Sequence, residues 1–373
     1  MPVQPHSYTE SLTSLLTRIC ETPAPTFEEA ARAALVAELL AEAGLSPQQD
    51  EVGNVIVKVP GGDGPRVMLA AHLDTVFEAG TPIKVNTDDG KLHAPGIGDN
   101  SASLSVLVQL ARVLMHEDRP HANLTLVATV GEEGLGNLRG ARHVVNTHQH
   151  ELDGFVALDG YLGVIIHKSV GSKRYKITFR GPGGHAWGDF PGPSATHALG
   201  AAVYGLSQLE FSGGPRWSWN VGKITGGTSI NTIAEQASMY LDLRSTDSAR
   251  LTQLTQKAHK HIATAANRHR VEHDIELIGD RPCAAVENGT LVQTAKQALA
   301  TIDLSPHLAV SSTDANAAMA AGIPAITFGV YKGGHAHRLS EWVDPSSLST
   351  GLDAVLNLVD SLRHVNLTTA TSP

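Results

Sequence analysis

The sequence predicts an α/β fold in which a first domain is interrupted by a second, and three observations lead to this. The chain has 373 residues, 42% of them apolar, which is more than one hydrophobic core usually serves. Strand-like runs alternate with helical periods in its first and last parts, which is typical of a mixed sheet with helices on both faces. The pattern changes near residue 171 and changes back near residue 284. We therefore predict one domain at 1–170 and 284–373 and an inserted α+β sandwich at 171–283.

The first domain is predicted to begin with two helices. Residues 8–20 are amphipathic, and Thr26 with Glu29 forms a capping-box pattern for a second helix that runs to about Ala43. A hairpin turn is expected at 60–64, where proline and glycines separate two strand-like runs. The other periods predict strands at 52–59, 66–71, 123–130, 154–158 and 325–328, and helices at 101–115, 139–147, 288–300, 314–321 and 345–363.

The inserted domain is predicted to contain four strands and two helices. The strands are expected at 173–180, 217–225, 235–243 and 273–277, and the helices at 193–209 and 248–268. Because two helices would cover only one face of such a sheet, an open edge or face is expected, and such a surface suits dimerisation.

Charge and composition exclude several classes of protein. A net charge of −9 disfavours binding to nucleic acid, whose phosphates are also negative. No apolar run approaches the ~20 residues that a membrane helix needs. The first residues lack the charged start and apolar stretch of a signal peptide, and the chain has only two cysteines, Cys20 and Cys283. We therefore expect a cytoplasmic protein that binds neither nucleic acid nor membranes.

Five short segments carry residues of the kinds that bind metals or move protons. Most follow a predicted strand, where open α/β sheets place their sites. The segments are His72-Leu73-Asp74, Gly96–Asn100, Gly131–Gly134, Asp159 and Gly333–His337. Taken singly, they also fit simpler roles, such as a buried polar pair at a strand end, a helix N-cap at Asp99 or an exposed acidic turn.

Taken together, two histidines and three or four carboxylates suit a pair of divalent metal ions. Nitrogen and oxygen ligands with few waters favour Zn²⁺, and Co²⁺ and Mn²⁺ are also possible. Two such ions activate a water and polarise a carbonyl, while a neighbouring glutamate moves the proton. The pattern therefore predicts a metal-dependent amidohydrolase.

The motifs HLDTV, GIGDN, GEEG, ALDG and HAHRLSEWV follow one another in this order over nearly the whole chain. This set resembles the M20 family of metallopeptidases, the group of peptidase T, carboxypeptidase G2 and succinyl-diaminopimelate desuccinylase. The segment HAWGDFPGPSATHALG looks like that of peptidase T-like members. The resemblance implies a zinc-peptidase-like catalytic domain and an inserted lid that forms a homodimer.

The resemblance also implies a role for each residue of the site. One ion would be held by His72, Asp99 and Asp159, and the other by Asp99, Glu133 and His337, so that Asp99 bridges them. The family's spacing before Glu341-Trp342-Val343 selects His337 over His335 as the ligand. The general base would be Glu132, and Asp74 would orient His72.

Three residues of the inserted domain are implied to reach the substrate. Gly183-Gly184-His185-Ala186 resembles the family's G-x-x-H loop, whose histidine stabilises the oxyanion in the partner subunit's site. Asn231, in a GG…N-x-I segment, and Arg244, in a D-x-R strand, would hold the substrate's carboxylate or carbonyl. A salt bridge at a strand end is the alternative for Arg244.

We therefore expect a peptidase that cuts small peptides, of the aminopeptidase or di- or tripeptidase type. Aspartate rather than glutamate at Asp159 accompanies aminopeptidases and dipeptidases in the family. An N-acyl-amino-acid deacylase or a carboxypeptidase is the alternative within it. A catalytically silent metal-binding protein would lack ligands or the base, whereas every expected position is filled here.

Overall fold

The structure is a computed structural model that describes residues 8–284, 286 and 288–367. The chain divides into two compact units. Residues Val170–Ala284 form the inserted unit, and the described residues on either side of this segment form the other, which we call the main unit. None of the described helices is long and apolar enough to cross a bilayer.

The described residues form helices mostly where the apolar period predicts them. In α1, for example, Leu12, Leu15, Leu16 and Ile19 are buried along one face. The helices are α1 Thr9–Cys20, α2 Ala30–Glu42, α3 Ser103–His116, α4 Arg139–His148, α5 Ala195–Ser207, α6 Ser248–His269, α7 Gly289–Ala300, α8 Ala315–Ala320 and α9 Ser346–Ser361.

The strands include several that the sequence did not predict. They are β1 Gln48–Gln49, β2 Val55–Lys58, β3 Asp63–His72, β4 Asn86–Asp88, β5 Lys91–His93, β6 Ala122–Thr129, β7 Gly154–Leu158, β8 Val164–Ser169, β9 Gly171–Arg180, β10 Gly184–His185, β11 Trp217–Gly226, β12 Thr232–Ile233, β13 Gln236–Ser245, β14 Glu272–Arg281, β15 His307–Ser311, β16 Ala325–Phe328, β17 Lys332–Gly334 and β18 Trp342–Asp344.

The main unit is built on an eight-stranded mixed sheet in the order β1-β2-β6-β3-β7-β16-β8-β15. Strands β6, β3, β7 and β16 run parallel to one another in its centre. In β3 every residue from Val67 to His72 is buried, so side chains on both faces of the sheet are covered. The predicted α/β class, with helices on both faces of a mixed sheet, is confirmed.

The predicted hairpin at 60–64 is wrong. Strands β2 and β3 both pair with β6, which lies between them. Gly62 allows the segment before β3 to approach the start of β6 closely, because a Cβ at this position would lie 2.3 Å from the carbonyl oxygen of Ala122. Turn residues indicate a change of direction, but they do not indicate which strand becomes the neighbour.

The capping box predicted for α2 is also wrong, because both of its side chains have distant partners. Helix α2 begins at Ala30 without a side-chain cap. The Thr26 hydroxyl donates to Asp74 Oδ2 at 2.9 Å, and the Glu29 carboxylate accepts from Arg139 at 2.8 Å.

A small sheet in the order β17-β18-β5-β4 was not predicted, since its strands are only three residues long. It matters for the site because β18 pairs with β5, Trp342 opposite His93 and Val343 opposite Leu92. This pairing brings the segment after His337 against the chain that leads into Gly96–Asn100.

The inserted unit has a four-stranded antiparallel sheet in the order β11-β13-β9-β14. Helices α5 and α6 pack on this sheet around a separate apolar core that includes Ile177, Phe179, Met239 and Leu243. This sheet-based domain agrees with the α+β sandwich that the sequence predicted.

Candidate metal centre

The topology of the central sheet brings distant side chains to one edge. His72 is the last residue of β3, Glu132 and Glu133 follow β6, and Asp159 follows β7. These three strands are parallel neighbours, in the order β6-β3-β7, so their carboxyl ends meet at the same edge. Such an edge is where open α/β sheets bind their ligands.

Two groups of potential ligand atoms form at this edge, and Asp99 belongs to both. Within each group the atoms lie within 4.8 Å of one another. His72 Nε2 is 3.0 Å from Asp99 Oδ1, whereas His337 Nε2 is 3.0 Å from Asp99 Oδ2 and 3.0 Å from Glu133 Oε1. Asp99 therefore presents a different oxygen to each group. The groups are His72, Asp99 and Asp159, and Asp99, Glu133 and His337.

A third group of nearby ligand atoms consists of His72, Glu132 and Glu133. Both glutamates are buried, with 5% and 7% of their surfaces exposed. Geometry alone therefore leaves Glu132 open as a ligand or as a base. His335, by contrast, is exposed and lies against Ser340, with Nδ1 3.1 Å from the Ser340 hydroxyl, and it is in none of these groups.

The arrangement of His72 tests whether these residues fit a cation. His72 Nδ1 is 3.0 Å from the backbone carbonyl oxygen of Asp74, which can only accept, so Nδ1 carries a proton. In the neutral ring, Nε2 then presents a lone pair to Asp99 Oδ1, a buried atom for which no hydrogen-bond donor is found in the described residues. Two acceptors this close need a positive charge between them, either a second proton or a metal ion.

The pKa shifts express the same need for positive charge. Burial lowers the pKa of His72, but the nearby carboxylates of Asp74 and Asp99 favour the protonated ring, outweigh burial and raise the pKa well above its ordinary value. Asp99 and then Glu133 raise the pKa of His337 to about 11. Burial, together with the charge of Asp99, raises the pKa of Asp159 to about 7. In the absence of metal, protons neutralise this pocket, and the same donor set suits Zn²⁺, Co²⁺ or Mn²⁺.

Asp74 holds the chain that carries the two glutamates. Its Oδ1 accepts from the backbone N–H of Glu132 and its Oδ2 from that of Glu133, both at 2.9 Å. Asp74 is fully buried, and its carboxylate lies 3.6 Å from His72 Nδ1, farther than its own carbonyl oxygen. Of the two acceptors that Asp74 offers to His72, the carbonyl is therefore the nearer.

The loop around Asp99 is not a helix start. Helix α3 begins at Ser103 and its N-cap is Ala102, so Asp99 is not its N-cap; Asp99 lies in extended backbone, with φ −97° and ψ 96°. The sequence did not assign roles to two side chains that contact this loop. The Glu341 carboxylate accepts backbone N–H groups of the loop, and the Tyr331 ring packs against Gly98. The motif E-W-V drew attention to Glu341, but only the fold shows what it binds.

The three residues predicted in the inserted unit are at least partly exposed. His185 Nδ1 accepts from the backbone N–H groups of Trp187 and Gly188, so the neutral ring carries its proton on Nε2. Asn231 accepts from the Ser229 hydroxyl at 2.9 Å. Arg244 Nε donates to Asp242 Oδ2 at 2.6 Å, which is the salt bridge named above as the alternative to substrate binding.

Comparison with known proteins identifies relatives over most of the chain. The model of peptidase family M20/M25/M40 matches residues 68–361. A succinyl-diaminopimelate desuccinylase of Corynebacterium glutamicum is 28% identical over 307 residues, covering 77% of this chain and 79% of that protein.

Two solved structures share the fold. A tripeptidase of Staphylococcus aureus superposes with a TM-score of 0.82 at 22% identity, covering 96% of this chain and 99% of that one. A dinuclear metal-binding M20 peptidase of Bacillus subtilis superposes with a TM-score of 0.70 at 17% identity, covering 95% and 98%. At these identities the likeness establishes the fold alone.

Proposed function

Since the chain is a hydrolase that belongs to peptidase family M20/M25/M40, we propose that it is a dinuclear metallopeptidase that hydrolyses a peptide bond in a small peptide. An aminopeptidase or a di- or tripeptidase is the type we favour. The observation that carries the proposal is the position of Asp99, whose two oxygens face two different groups of potential ligands.

In this proposal the two groups sharing Asp99 hold one ion each. With one oxygen facing each group, Asp99 would serve both ions. Imidazole nitrogen and carboxylate oxygen suit Zn²⁺ best, with Co²⁺ and Mn²⁺ as alternatives. The proposed ligands are His72, Asp99 and Asp159 for one ion, and Asp99, Glu133 and His337 for the other.

Glu132 is the proposed general base and acid. The ions, when bound, would make a water acidic and polarise the scissile carbonyl. Glu132 would take the proton of this water and return it to the leaving amine. Asp74 supports this step, because its carboxylate fixes the backbone N–H groups of both Glu132 and Glu133.

The inserted unit is proposed to act as a lid and to join two subunits. His185 of the partner subunit would donate a hydrogen bond from Nε2–H to the oxyanion, which agrees with the acceptor role of Nδ1 in the structure. Asn231 and Arg244 would bind the carboxylate or carbonyl of the substrate. Arg244 would keep its bond to Asp242, which fixes the guanidinium through Nε and leaves other N–H groups for the substrate.

Replacing each of the two adjacent glutamates separates a base from a ligand. Glu132→Ala should keep two ions per chain and lose turnover, by about 10²–10⁴-fold if proton transfer is its role. Glu133→Ala should lose one ion as well as turnover. Metal content by elemental analysis and peptide hydrolysis on the same samples decide the point. Normal turnover in Glu132→Ala would end the proposal, and loss of an ion there would make Glu132 a ligand.

A deacylase is the second candidate, because the relative that is 28% identical is a desuccinylase. The two candidates differ in what the substrate presents beside the scissile bond. Tripeptides with a free α-amine, the same tripeptides acetylated, and N-succinyl amino acids should be compared at equal metal loading. Dependence on the free amine would support the aminopeptidase or tripeptidase, and preference for the acylated compounds would support the deacylase.

A further inference from the structure

We propose that Glu341 is a positioning residue that holds the backbone of Asp99 in place, so that its two oxygens reach two ions at once. The proposal rests on the proposed function, because it takes Asp99 as the bridging ligand. Glu341 is not itself in any of the groups of potential ligands found in the described residues.

The Glu341 carboxylate accepts three backbone N–H groups of one short loop. Oε2 accepts from Gly96 at 2.8 Å, and Oε1 accepts from Gly98 at 3.0 Å and from Asp99 at 2.8 Å. Glu341 is 1% exposed, so water cannot replace it as the acceptor. Hydrogen bonds from N–H groups to a buried carboxylate are among the stronger ones in proteins. A single side chain from a distant part of the sequence therefore binds three N–H groups of the loop.

The loop is shaped to lie directly on this carboxylate. A Cβ on Gly98 would lie 2.7 Å from Glu341 Oε1 and 2.7 Å from the Tyr331 hydroxyl oxygen. Those distances are too short for any side chain, so glycine is required for the close approach. Gly96 has φ 73°, which lets its N–H turn to Glu341 Oε2 while that of Asp99 turns to Oε1 of the same carboxylate.

Glu341 and His337 lie in one turn, so the side chain that binds the Asp99 backbone is close in sequence to a member of the second group of potential ligands. The backbone N–H of Glu341 donates to the carbonyl of Arg338, and its own carbonyl accepts from Ala94 at 3.2 Å. His337 contacts the Asp99 side chain at 3.0 Å, whereas Glu341 holds the Asp99 backbone. One segment therefore fixes Asp99 from both ends, and a shift of the backbone would move both Asp99 oxygens relative to the histidines.

Another carboxylate of the main unit that accepts three backbone N–H groups supplies the control. Asp50 Oδ1 accepts from the backbone N–H groups of Val52, Gly53 and Asn54 at 3.1, 2.9 and 2.9 Å. The turn that it holds carries none of the potential ligands. Asp50 Oδ2 also accepts from Asn54 Nδ2 at 2.7 Å. In Asp50→Asn, as in Glu341→Gln, an amide N–H₂ therefore faces an N–H donor in either orientation, but only the second change reaches Asp99.

The test measures metal binding by the folded full chain from which metal has been removed. In Glu341→Gln an amide N–H₂ faces at least one backbone N–H donor, so the loop must move. We expect Zn²⁺ affinity at one or both sites to fall about 10–100-fold, as when partners of metal ligands are replaced, and the visible spectrum of the Co²⁺ form to change. Excess metal should restore part of kcat. Asp50→Asn should lose thermal stability but bind Zn²⁺ and Co²⁺ like the wild type.

Wild-type Zn²⁺ affinity and Co²⁺ spectrum in Glu341→Gln would overturn the proposal, even if that variant were less stable. If Glu341→Gln does not fold, Glu341→Asp makes the same distinction, because it keeps the charge but shortens the reach by one methylene. Failure of the proposed function would look different, since the wild type would then bind fewer than two ions or hydrolyse no amide.

Discussion

Asp74→Asn is the change that most directly tests how the site is held together. The substitution keeps the size of the side chain and removes one acceptor oxygen. In the structure Oδ1 accepts from Glu132 N–H, and Oδ2 accepts from Glu133 N–H and from the Thr26 hydroxyl. The hydroxyl can turn round and accept from an amide. A backbone N–H cannot, so either orientation of the asparagine leaves one buried N–H without an acceptor.

The size of the effect follows from these contacts. An unpaired buried N–H costs about 1–3 kcal/mol, and the remaining N–H bond weakens by about 1 kcal/mol when its acceptor loses its charge. The sum is about 2–4 kcal/mol, which should lower Tm by roughly 4–10 °C. The backbone of Glu132 or Glu133 should shift as well, and a displacement near 1 Å costs about 100-fold in rate.

The assay compares Tm, metal content and kcat of Asp74→Asn with those of Thr26→Val at saturating metal. Thr26→Val removes the hydroxyl bond to Oδ2 but leaves both backbone N–H groups paired. It should cost about 1 kcal/mol and leave kcat near the wild-type value. Metal content should stay at two ions in both variants. If Asp74→Asn matches Thr26→Val in Tm and kcat, Asp74 does not position the glutamates.

Three further outcomes are expected. Removing metal with dipicolinate should abolish hydrolysis and lower Tm, because ions bound only to the folded chain stabilise it, and activity in metal-free protein would contradict the dinuclear proposal. Gly140→Ala should lower the free energy of unfolding in urea by more than about 2 kcal/mol, because its Cβ would lie 2.3 Å from Asn54 Oδ1. Gly200→Ala has open space around its Cβ and should stabilise α5 by up to about 1 kcal/mol. Equal effects of the two variants would contradict this reasoning. Leu135 and Leu339 are 52% and 70% exposed, and each lies two residues after a proposed ligand. Leu135→Glu or Leu339→Glu should therefore lower kcat/KM for apolar peptides more than for acidic peptides. Equal losses on the two kinds of peptide would show that these leucines do not contact the substrate.

The sequence predicts the centre of the sheet well because that part is locally encoded. Strand β7 is a continuous apolar run, β6 is a mostly apolar one, and candidate ligands follow both of them closely in the chain. The order of the strands in the sheet is harder to predict from the sequence. Strand β6 separates β2 from β3, and nothing in the turn at 60–64 indicates this. Strands β8 and β15 are only partly buried, so their apolar pattern is weak.

Within the site, the side chains that hold other residues could not be predicted from local pattern. The N–H groups that Asp74 accepts lie 58 and 59 positions away, and those that Glu341 accepts lie 242 to 245 positions away. Backbone donors have no sequence signature of their own. Thr26 shows the same limit, because its capping-box pattern was real in the sequence, but the fold gave its hydroxyl a distant acceptor.

The acidic residues of the site differ in the groups that surround their carboxylates. Asp74 and Glu341 each accept three hydrogen bonds from N–H or O–H groups of the chain. The pKa of Asp74 is lowered, whereas burial outweighs the hydrogen bonds of Glu341 and raises its pKa to about 7. Asp99 faces two imidazoles, and Asp159, half-buried near Asp99, has a raised pKa. The first kind can hold the loops before any ion arrives, whereas the second kind needs a cation to be stable as an anion. The proposed ligands Asp99 and Asp159 thus face imidazoles or other carboxylates, whereas the proposed supports Asp74 and Glu341 face N–H and O–H donors of the chain.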